Sequence, residues 1–471
     1  MRLYKQIKNY SKKLIIPLHM PGHKRRSGVL KNSLPYEIDI TEIDNFDNLQ
    51  NPQGILKECL EKTEKVFGAY KSFYSVNGGS CGVLVAIKSF CNIGDKIILP
   101  RNCHKSVYNI AELLNLKCVY VDVKTDEFGI LKQVEFDDLK QVILDNLDAK
   151  CIILTSPTYE GVISNIQKIS SFAHKNKIPL IVDEAHGAHL FLQNKSALQM
   201  GADIVLNSLH KTLPSLTQTA LIHVGFKALE RENLVQKVAY NLNIFQTTSP
   251  SYVLMSSIDE CVEFLQNKGA KFFDKLQSNL AYFKECCKEL KHLKVINYNI
   301  EAKYYDFDNT KIVISTKNTN INGSKLMEML RKNKIECEMS YNDYIIAMTS
   351  IFDTKGTFKS FAKVLKEIDD SLLDLKMIVR YFDLPKPQTT LTLCQARNSK
   401  KKLVSLNNAK NKIVAEYVYA YPPGSPILVP GEKLTKDILY YIEMIKVNNT
   451  LLKSTSGKIM DDKIYIVDEK L

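Results

Sequence analysis

PLIVDEAHGAHLFLQNKSALQMGADIVLNSLHKT, residues 179–212, is the stretch that decides how this chain is read. It opens on an apolar run, PLIVD (179–183), and passes through DEAHGAH. After a mixed interval it repeats the arrangement as DIVLN (203–207) followed by SLHKT (208–212). Runs that are apolar on consecutive residues suit strands covered by helices on both faces. Working outward, similar runs recur at 96–100 (KIILP), 117–123 (KCVYVDV), 151–155 (CIILT) and 219–224 (TALIHV). Phe73-Tyr74-Ser75-Val76 leads into Asn77-Gly78-Gly79-Ser80 and then a helical stretch with Val83, Leu84 and Ile87 on one face. Alternation of strand and helix predicts an α/β fold with a doubly wound, mostly parallel sheet.

The chain has 471 residues, 45% hydrophobic and 24% charged, which suits two or three domains with large cores. The expected division is an N-terminal arm (1–18), a large domain (19–255), a smaller α/β domain (256–378) and a C-terminal domain (379–471). The smaller domain reads as long amphipathic helices, a strand at 311–315, a helix at 325–333, a strand at 344–348 and a last helix. The C-terminal piece opens near the DLPKPQ linker and carries the turn-rich run YPPGSP (421–426). The net charge of +13 comes mostly from Lys scattered along the chain, which suits a solvated surface. Neither a nucleic-acid-binding signature nor a span of about 20 apolar residues is present. The apolar run 14–18 is too short for the core of a signal peptide. Eleven Cys with no C-x-x-C pair predict reduced thiols, a cytoplasmic setting and no structural zinc.

Several of these apolar runs deliver chemistry at their carboxyl ends, where open α/β sheets place ligands. Ser208 and His210 are suited to donate to a phosphate, leaving the Lys211 amine to attack an aldehyde. Lysine is the residue that forms Schiff bases with pyridoxal phosphate. Asp183, 28 residues earlier, is placed to pair with a pyridine nitrogen and keep it protonated. The turn Asn77–Cys81 offers backbone N–H groups at a helix start, with glycine allowing an anion to approach closely. His104, in RNCHKS beyond KIILP, is able to stack on a ring or relay a proton.

Other readings of DEAHGAH remain. A DEAH box of an ATP-driven helicase needs a G-x-x-x-x-G-K-[ST] phosphate loop, and none precedes it. Asp183, His186 and His189 have metal-ligand character, but no second ligand cluster accompanies them, so no metal is expected. Core packing is the plain alternative for the histidines, more so for His189 than for His186.

Taken in order, HMPGHK (19–24), DITEIDNFDNL (39–49), NGGSCG (77–82), RNCHKS (101–106), TSPTYEG (155–161), VDEAHGAH (182–189), SLHKT (208–212), TTSPSYVLMSSID (247–259) and YPPGSPILVPGE (421–432) cover most of the chain. This set resembles the bacterial ornithine/lysine/arginine decarboxylase family, pyridoxal-phosphate enzymes of the aspartate-aminotransferase fold (fold type I). The chain looks like the shorter members, which lack the N-terminal wing domain. The resemblance implies decarboxylation of arginine, lysine or ornithine to the amine and CO2, as in polyamine biosynthesis, by a homodimer or a multiple of it with shared active sites. It makes Lys211 the Schiff-base lysine, Asp183 the partner of the pyridine nitrogen and His104 the residue stacked on the ring. It sets Gly79, Ser80, Cys81, Ser208 and His210 around the phosphate, includes His186 in the cofactor-binding set, and brings Thr248 and Ser249 to the phosphate from a neighbouring subunit. One departure is visible: the family's turn usually reads N-G-T-[ST], and Gly79 replaces the Thr, so a hydroxyl is lost there.

Two rivals stand beside this reading. An aminotransferase or lyase of the same fold would share the Lys and Asp roles. It would commonly show a small-domain Arg that clamps the substrate carboxylate, for which Arg331, Arg380 and Arg397 are available. A non-catalytic basic binding protein would leave an intact lysine–aspartate site unexplained.

Overall fold

The apolar runs become strands almost residue for residue. In chain order these are β1 (Lys71–Ser75), β2 (Lys96–Pro100), β3 (Lys117–Val121), β4 (Cys151–Thr155), β5 (Val162–Ile163), β6 (Leu180–Asp183), β7 (Ile204–Asn207) and β8 (Ala220–Val224). The structure, a computed structural model, describes residues 2–13, 21, 34–296, 304–375, 383–421, 426–447 and 451–468. HMPGHK, apart from Pro21, and Pro422–Ser425 of the turn-rich run lie outside the described residues, as does Arg380. The chain divides into two compact units, Met1–Phe90 with Pro179–Asp274, and Cys91–Ile178 with Lys275–Leu471.

In the first unit β1 and β7 each pair antiparallel with β8, and β7 pairs parallel with β6. The two reversals cancel, so β1, β6 and β7 run in one direction. Their carboxyl ends, Ser75, Asp183 and Asn207, therefore share one edge of the sheet. Every residue of β6, β7 and β8 is buried, which is why the sequence there shows no alternation. The helix after β1, Gly78–Phe90, was expected to bury one face. It buries Val83, Val85, Ala86 and Ile87, while Leu84 is only partly covered. The face is wider because helix Arg231–Phe245 also packs on it, with Asn241 Nδ2 donating to Ser89 Oγ at 3.1 Å. Helix Tyr252–Phe264 follows, with Ser251 as its cap.

In the second unit β2 pairs parallel with β3 and β4. The run predicted at 117–123 ends as a strand at Val121 and is only partly buried, because β3 lies at the sheet's edge with β2 as its partner. A second sheet is antiparallel: β9 (Lys294–Val295), β11 (Lys311–Ser315), β12 (Met339–Ser340) and β13 (Tyr344–Met348) in the order β12-β13-β11-β9. Between them in sequence, β10 (Asp306–Phe307) pairs with β5. The helix predicted at 325–333 runs Gly323–Lys332, capped by Asn322.

Farther on, β14 (Lys401–Ser405) pairs with β18 (Lys463–Val467), and β15 (Val418–Tyr421) lies between β16 (Pro426–Leu428) and β17 (Leu451–Ser454). These strands and helix Lys436–Val447 have their own core, including Val418, Leu428, Ile438, Ile442 and Leu452. The class is α/β with a mainly parallel central sheet and a separate C-terminal core, as the sequence predicts. All 11 cysteines are free thiols, and no described helix is long and apolar enough to cross a membrane.

Candidate active site

Three turns leave the shared edge of the first unit's sheet, after β1, β6 and β7. The turn after β6 carries two adjacent carboxylates, and their surroundings tell them apart. Glu184 Oε1 accepts the Ala197 N–H at 2.7 Å, and Oε2 accepts from Ser196 Oγ and Asn207 Nδ2, each at 3.0 Å. Asn207 Nδ2 also donates to the Glu184 carbonyl at 3.1 Å, tying the end of β7 to the end of β6. Glu184 is thus structural. Asp183, 5% exposed, commits Oδ1 to the Ala185 N–H of its own turn at 3.1 Å. Three residues on, half-buried His186 turns its Nε2 toward Lys211 Nζ at 2.9 Å. As an ammonium, Lys211 donates to that nitrogen, which places the neutral ring's proton on Nδ1. His189 is buried with its ring 6.2 Å from Phe273, as the core-packing reading has it. Among the described residues no three His, Cys, Asp or Glu side chains gather as a metal site.

After β7, Ser208 is buried and leads into the short helix Leu209–Thr212. His210 Nδ1 lies 3.1 Å from the Thr219 carbonyl, so it carries the proton there and leaves Nε2 as the ring's second polar atom. After β1 the chain enters helix Gly78–Phe90 with Gly78 at φ +77. The turn is braced on both sides. Ser75 Oγ donates to the Gly78 carbonyl at 3.0 Å, the Val76 N–H donates to Gln246 Oε1 at 2.9 Å, and Gln218 Nε2 donates to the Val76 carbonyl at 2.7 Å. A Cβ at Gly79 would stand 2.5 Å from Ser208 Oγ. The departure from N-G-T-[ST] therefore has a structural counterpart: the Ser208 hydroxyl occupies the room a side chain at 79 would take. Cys81 is buried, which pushes its thiol up to about 11, so it is a neutral neighbour of the turn rather than a thiolate. Ser80 is exposed.

The structure thus pairs Gly79 with Ser208 and His186 with Lys211, in the unit that also holds Asp183, Cys81 and His210. Thr248 belongs to the same unit, in an exposed tip, Thr247–Ser249. Gln246 anchors that tip to the turn after β1, and Ser251, accepting the Leu254 N–H, caps the helix that follows. His104 belongs to the second unit. It caps helix Lys105–Leu113, its Nδ1 accepting the Ser106 N–H at 3.3 Å and meeting Ser106 Oγ at 2.8 Å. The arginines considered as carboxylate clamps have other partners: Arg331 forms a fork with Glu336, and Arg397 lies 3.7 Å from Glu112. The sequence reading missed the bracing side chains Asn207, Gln218 and Gln246. Gln246 meets Val76 across 170 positions, and no local pattern announces such a bond.

Two family profiles match the chain. The one described as Orn/Lys/Arg decarboxylase, major domain, matches residues 2–303, and the one described as Orn/Lys/Arg decarboxylase, C-terminal domain, matches residues 379–452. An arginine decarboxylase of Bacillus subtilis is 30% identical over 460 residues, covering 93% of this chain and 92% of that protein. An arginine decarboxylase of Halalkalibacterium halodurans is 31% identical over 462 residues, covering 93% of this chain and 92% of that protein. Among solved structures, the lysine decarboxylase LdcF of Francisella novicida superposes with a TM-score of 0.81 at 18% identity, over 99% of this chain and 81% of that one. At that identity the likeness speaks for the fold.

Proposed function

Because the chain belongs to the Orn/Lys/Arg decarboxylase family, we propose that it decarboxylates a basic amino acid (arginine, lysine or ornithine) to the corresponding amine and CO2, with pyridoxal 5'-phosphate as cofactor. The observation that carries this reading is the pairing of Lys211 Nζ with His186 Nε2 at the sheet edge that ends in Asp183.

The residues present fit such a cofactor. The helix start at Gly78-Gly79-Ser80 has no side chain at 79, and the Ser208 hydroxyl borders that space. These are donors suited to a phosphate. Ser80, Cys81 and His210 complete the set on the phosphate side. When bound, the cofactor supplies the electron sink for cleavage of the Cα–carboxylate bond. Lys211 supplies the amine that holds its aldehyde carbon. Asp183 supplies the fixed negative charge that keeps the pyridine nitrogen protonated. His186, in contact with Lys211, takes up and returns the proton that lets this amine act as base and as acid. By the family resemblance, His104 would cover the ring. Its capping bond to Ser106 fixes the orientation of the imidazole.

The exposed tip Thr247–Ser249 supports a symmetric dimer in which Thr248 reaches the phosphate of the partner's cofactor. The division into an arm (1–18) and domains 19–255, 256–378 and 379–471 is kept as part of the same reading. The separate antiparallel sheet and C-terminal core support it. A cytoplasmic enzyme feeding polyamine synthesis suits free thiols throughout.

The test is to incubate cofactor-loaded protein separately with arginine, lysine, ornithine and glutamate, and to measure CO2 and amine. The expected result is stoichiometric amine and CO2 from at least one basic amino acid and little from glutamate. Transamination as the main outcome, or efficient turnover of glutamate, overturns it.

A further inference from the structure

Among the described buried groups that the proposed chemistry leaves unused, Arg101 is the one whose described bonds reach farthest along the chain. It follows β2 and opens the turn that ends in His104. Arg101 is 6% exposed, and its guanidinium forms a fork with Glu432, which is fully buried: Nη1 donates to Oε1 and Nη2 to Oε2, both at 2.6 Å. Nε donates to the Pro426 carbonyl at 3.1 Å and Nη2 also to the Ile427 carbonyl at 2.9 Å. The guanidinium carbon lies 4.8 Å from the centre of the Tyr120 ring. Burial disfavours the charge, and the facing carboxylate outweighs it, so the group stays ionised.

Glu432 is held as well. Oε2 accepts the Val429 N–H at 3.0 Å, and Gly431 before it has φ +95. A Cβ at Gly431 would fall 2.2 Å from the Leu391 carbonyl oxygen, so the turn that delivers Glu432 admits no side chain. A buried ion pair contributes little net stability beside an apolar pair of the same volume, so this much organisation asks for a positional reason.

The reason lies in the next helix. The Arg101 carbonyl accepts from Tyr108 Oη at 2.9 Å, and Tyr108 is buried on helix Lys105–Leu113, the helix that His104 caps. The far end of that helix is gripped too: Tyr417 Oη donates to Glu112 Oε2 at 3.3 Å, and Thr392 Oγ1 donates to Asn115 Oδ1. Residues 392–432 therefore hold both ends of the element that presents the imidazole.

We propose that Arg101 and Glu432 are a positioning pair, through which the C-terminal segment fixes where the His104 ring stands, and hence how it covers the cofactor. This rests on the reading of His104 as the ring-covering residue. The pair touches no reacting atom and acts through the helix cap alone.

The experiment uses cofactor-loaded full-length protein. It reads the visible circular dichroism of the bound cofactor, its dissociation constant, and kcat and KM separately, for His104→Ala, Glu432→Gln and Arg101→Lys. Asp308→Asn is the control, because it breaks another buried ion pair among the described residues of this unit, Lys311–Asp308 at 2.7 Å. The expected result is that His104→Ala changes the dichroic band, and that Glu432→Gln and Arg101→Lys change it in the same sense. In those two, kcat should fall about 10-fold, on the scale of a misplaced group, while KM holds within about 2-fold. Asp308→Asn should lower thermal stability and leave the band alone. Arg101→Lys keeps the charge opposite Glu432, so it remains informative should Glu432→Gln fail to fold. An unchanged band in folded Arg101→Lys or Glu432→Gln, where His104→Ala does change it, overturns the positioning pair. The same change in Asp308→Asn overturns it as well, since general loosening would then explain the effect. An unchanged band in His104→Ala overturns the ring-covering reading on which the pair depends.

Discussion

The turns that follow β1 and β2 both carry the chain from a sheet into a helix, yet they finish in opposite ways. After β1 the helix starts on Gly78, Gly79 and Ser80, with its backbone braced from outside by Gln218 and Gln246. After β2 the helix is capped by its own His104, whose Nδ1 takes the Ser106 N–H, and the turn is locked by the buried Arg101–Glu432 fork. A helix start made of residues this small offers its N–H groups to an anion. One that fills them with an imidazole offers a ring with a fixed orientation. On the proposed reading, the same local topology serves as a phosphate seat in one place and as a ring cover in the other.

The comparison is broken most severely at the edge that the first turn shares with β6 and β7. Lys211→Ala should lower turnover by about 10³-fold or more, because both attachment of the cofactor and proton return lose their amine. CO2 release measures it, and activity within about 10-fold of the parent would remove Lys211 from the chemistry.

Next comes the contrast between neighbours. Asp183→Asn should lower kcat by about 10²–10³-fold with cofactor still bound, since it removes a charge and keeps the shape. Glu184→Gln should instead cost about 1–3 kcal/mol of stability through the bonds to Ala197, Ser196 and Asn207. Kinetics and denaturant unfolding of both variants check this, and the reverse pattern would exchange the two roles.

A smaller effect sharpens the phosphate seat itself. Gly79→Thr should weaken cofactor binding about 10-fold, a cost of about 1.4 kcal/mol, by displacing the Ser208 hydroxyl. Ser208→Gly in the same chain should return part of that loss. Cofactor titration reads both, and additive losses would show that the two positions are independent.

A separate effect, read on stability rather than on the cofactor, concerns the sheet behind the seat. His223 on β8 is fully buried, stacked near Phe67 and bonded through Nδ1 to Ser72 Oγ at 2.8 Å. Burial lowers its pKa from 6.5 to about 3. The unfolded chain therefore binds a proton between those values that the folded chain refuses. Stability is full above pH 6.5 and declines as pH falls, by up to about 1.4 kcal/mol per unit for this group. His223→Gln should flatten that slope between pH 6 and about 4.5 in denaturant unfolding; an unchanged slope would assign the acid sensitivity elsewhere.

Much of this arrangement is legible in the sequence because chemistry directly follows apolar runs. PLIVD ends in Asp183, DIVLN precedes SLHKT, and the glycines after Phe73–Val76 announce a helix start. What stays illegible is set by partners far along the chain. Arg101 finds Glu432 across 331 positions, and the Ser208 hydroxyl fills space beside Gly79, which turns an apparent loss in the motif into a fitted pair. The adjacent carboxylates Asp183 and Glu184 are equivalent candidates by type. Only the bonds to residues 196, 197 and 207 separate them. Likewise the wide buried face of helix Gly78–Phe90 follows from a neighbour, Arg231–Phe245, that its own periodicity does not reveal.

The central claim is that this fold uses Lys211 to hold pyridoxal 5'-phosphate. Loading the protein with the cofactor, reducing it with borohydride and mapping the modified peptide tests this directly. The account predicts a pyridoxyl group on Lys211, about one per chain, absent from Lys211→Ala. A pyridoxyl group on another lysine, or none on a folded, cofactor-saturated protein, would contradict it.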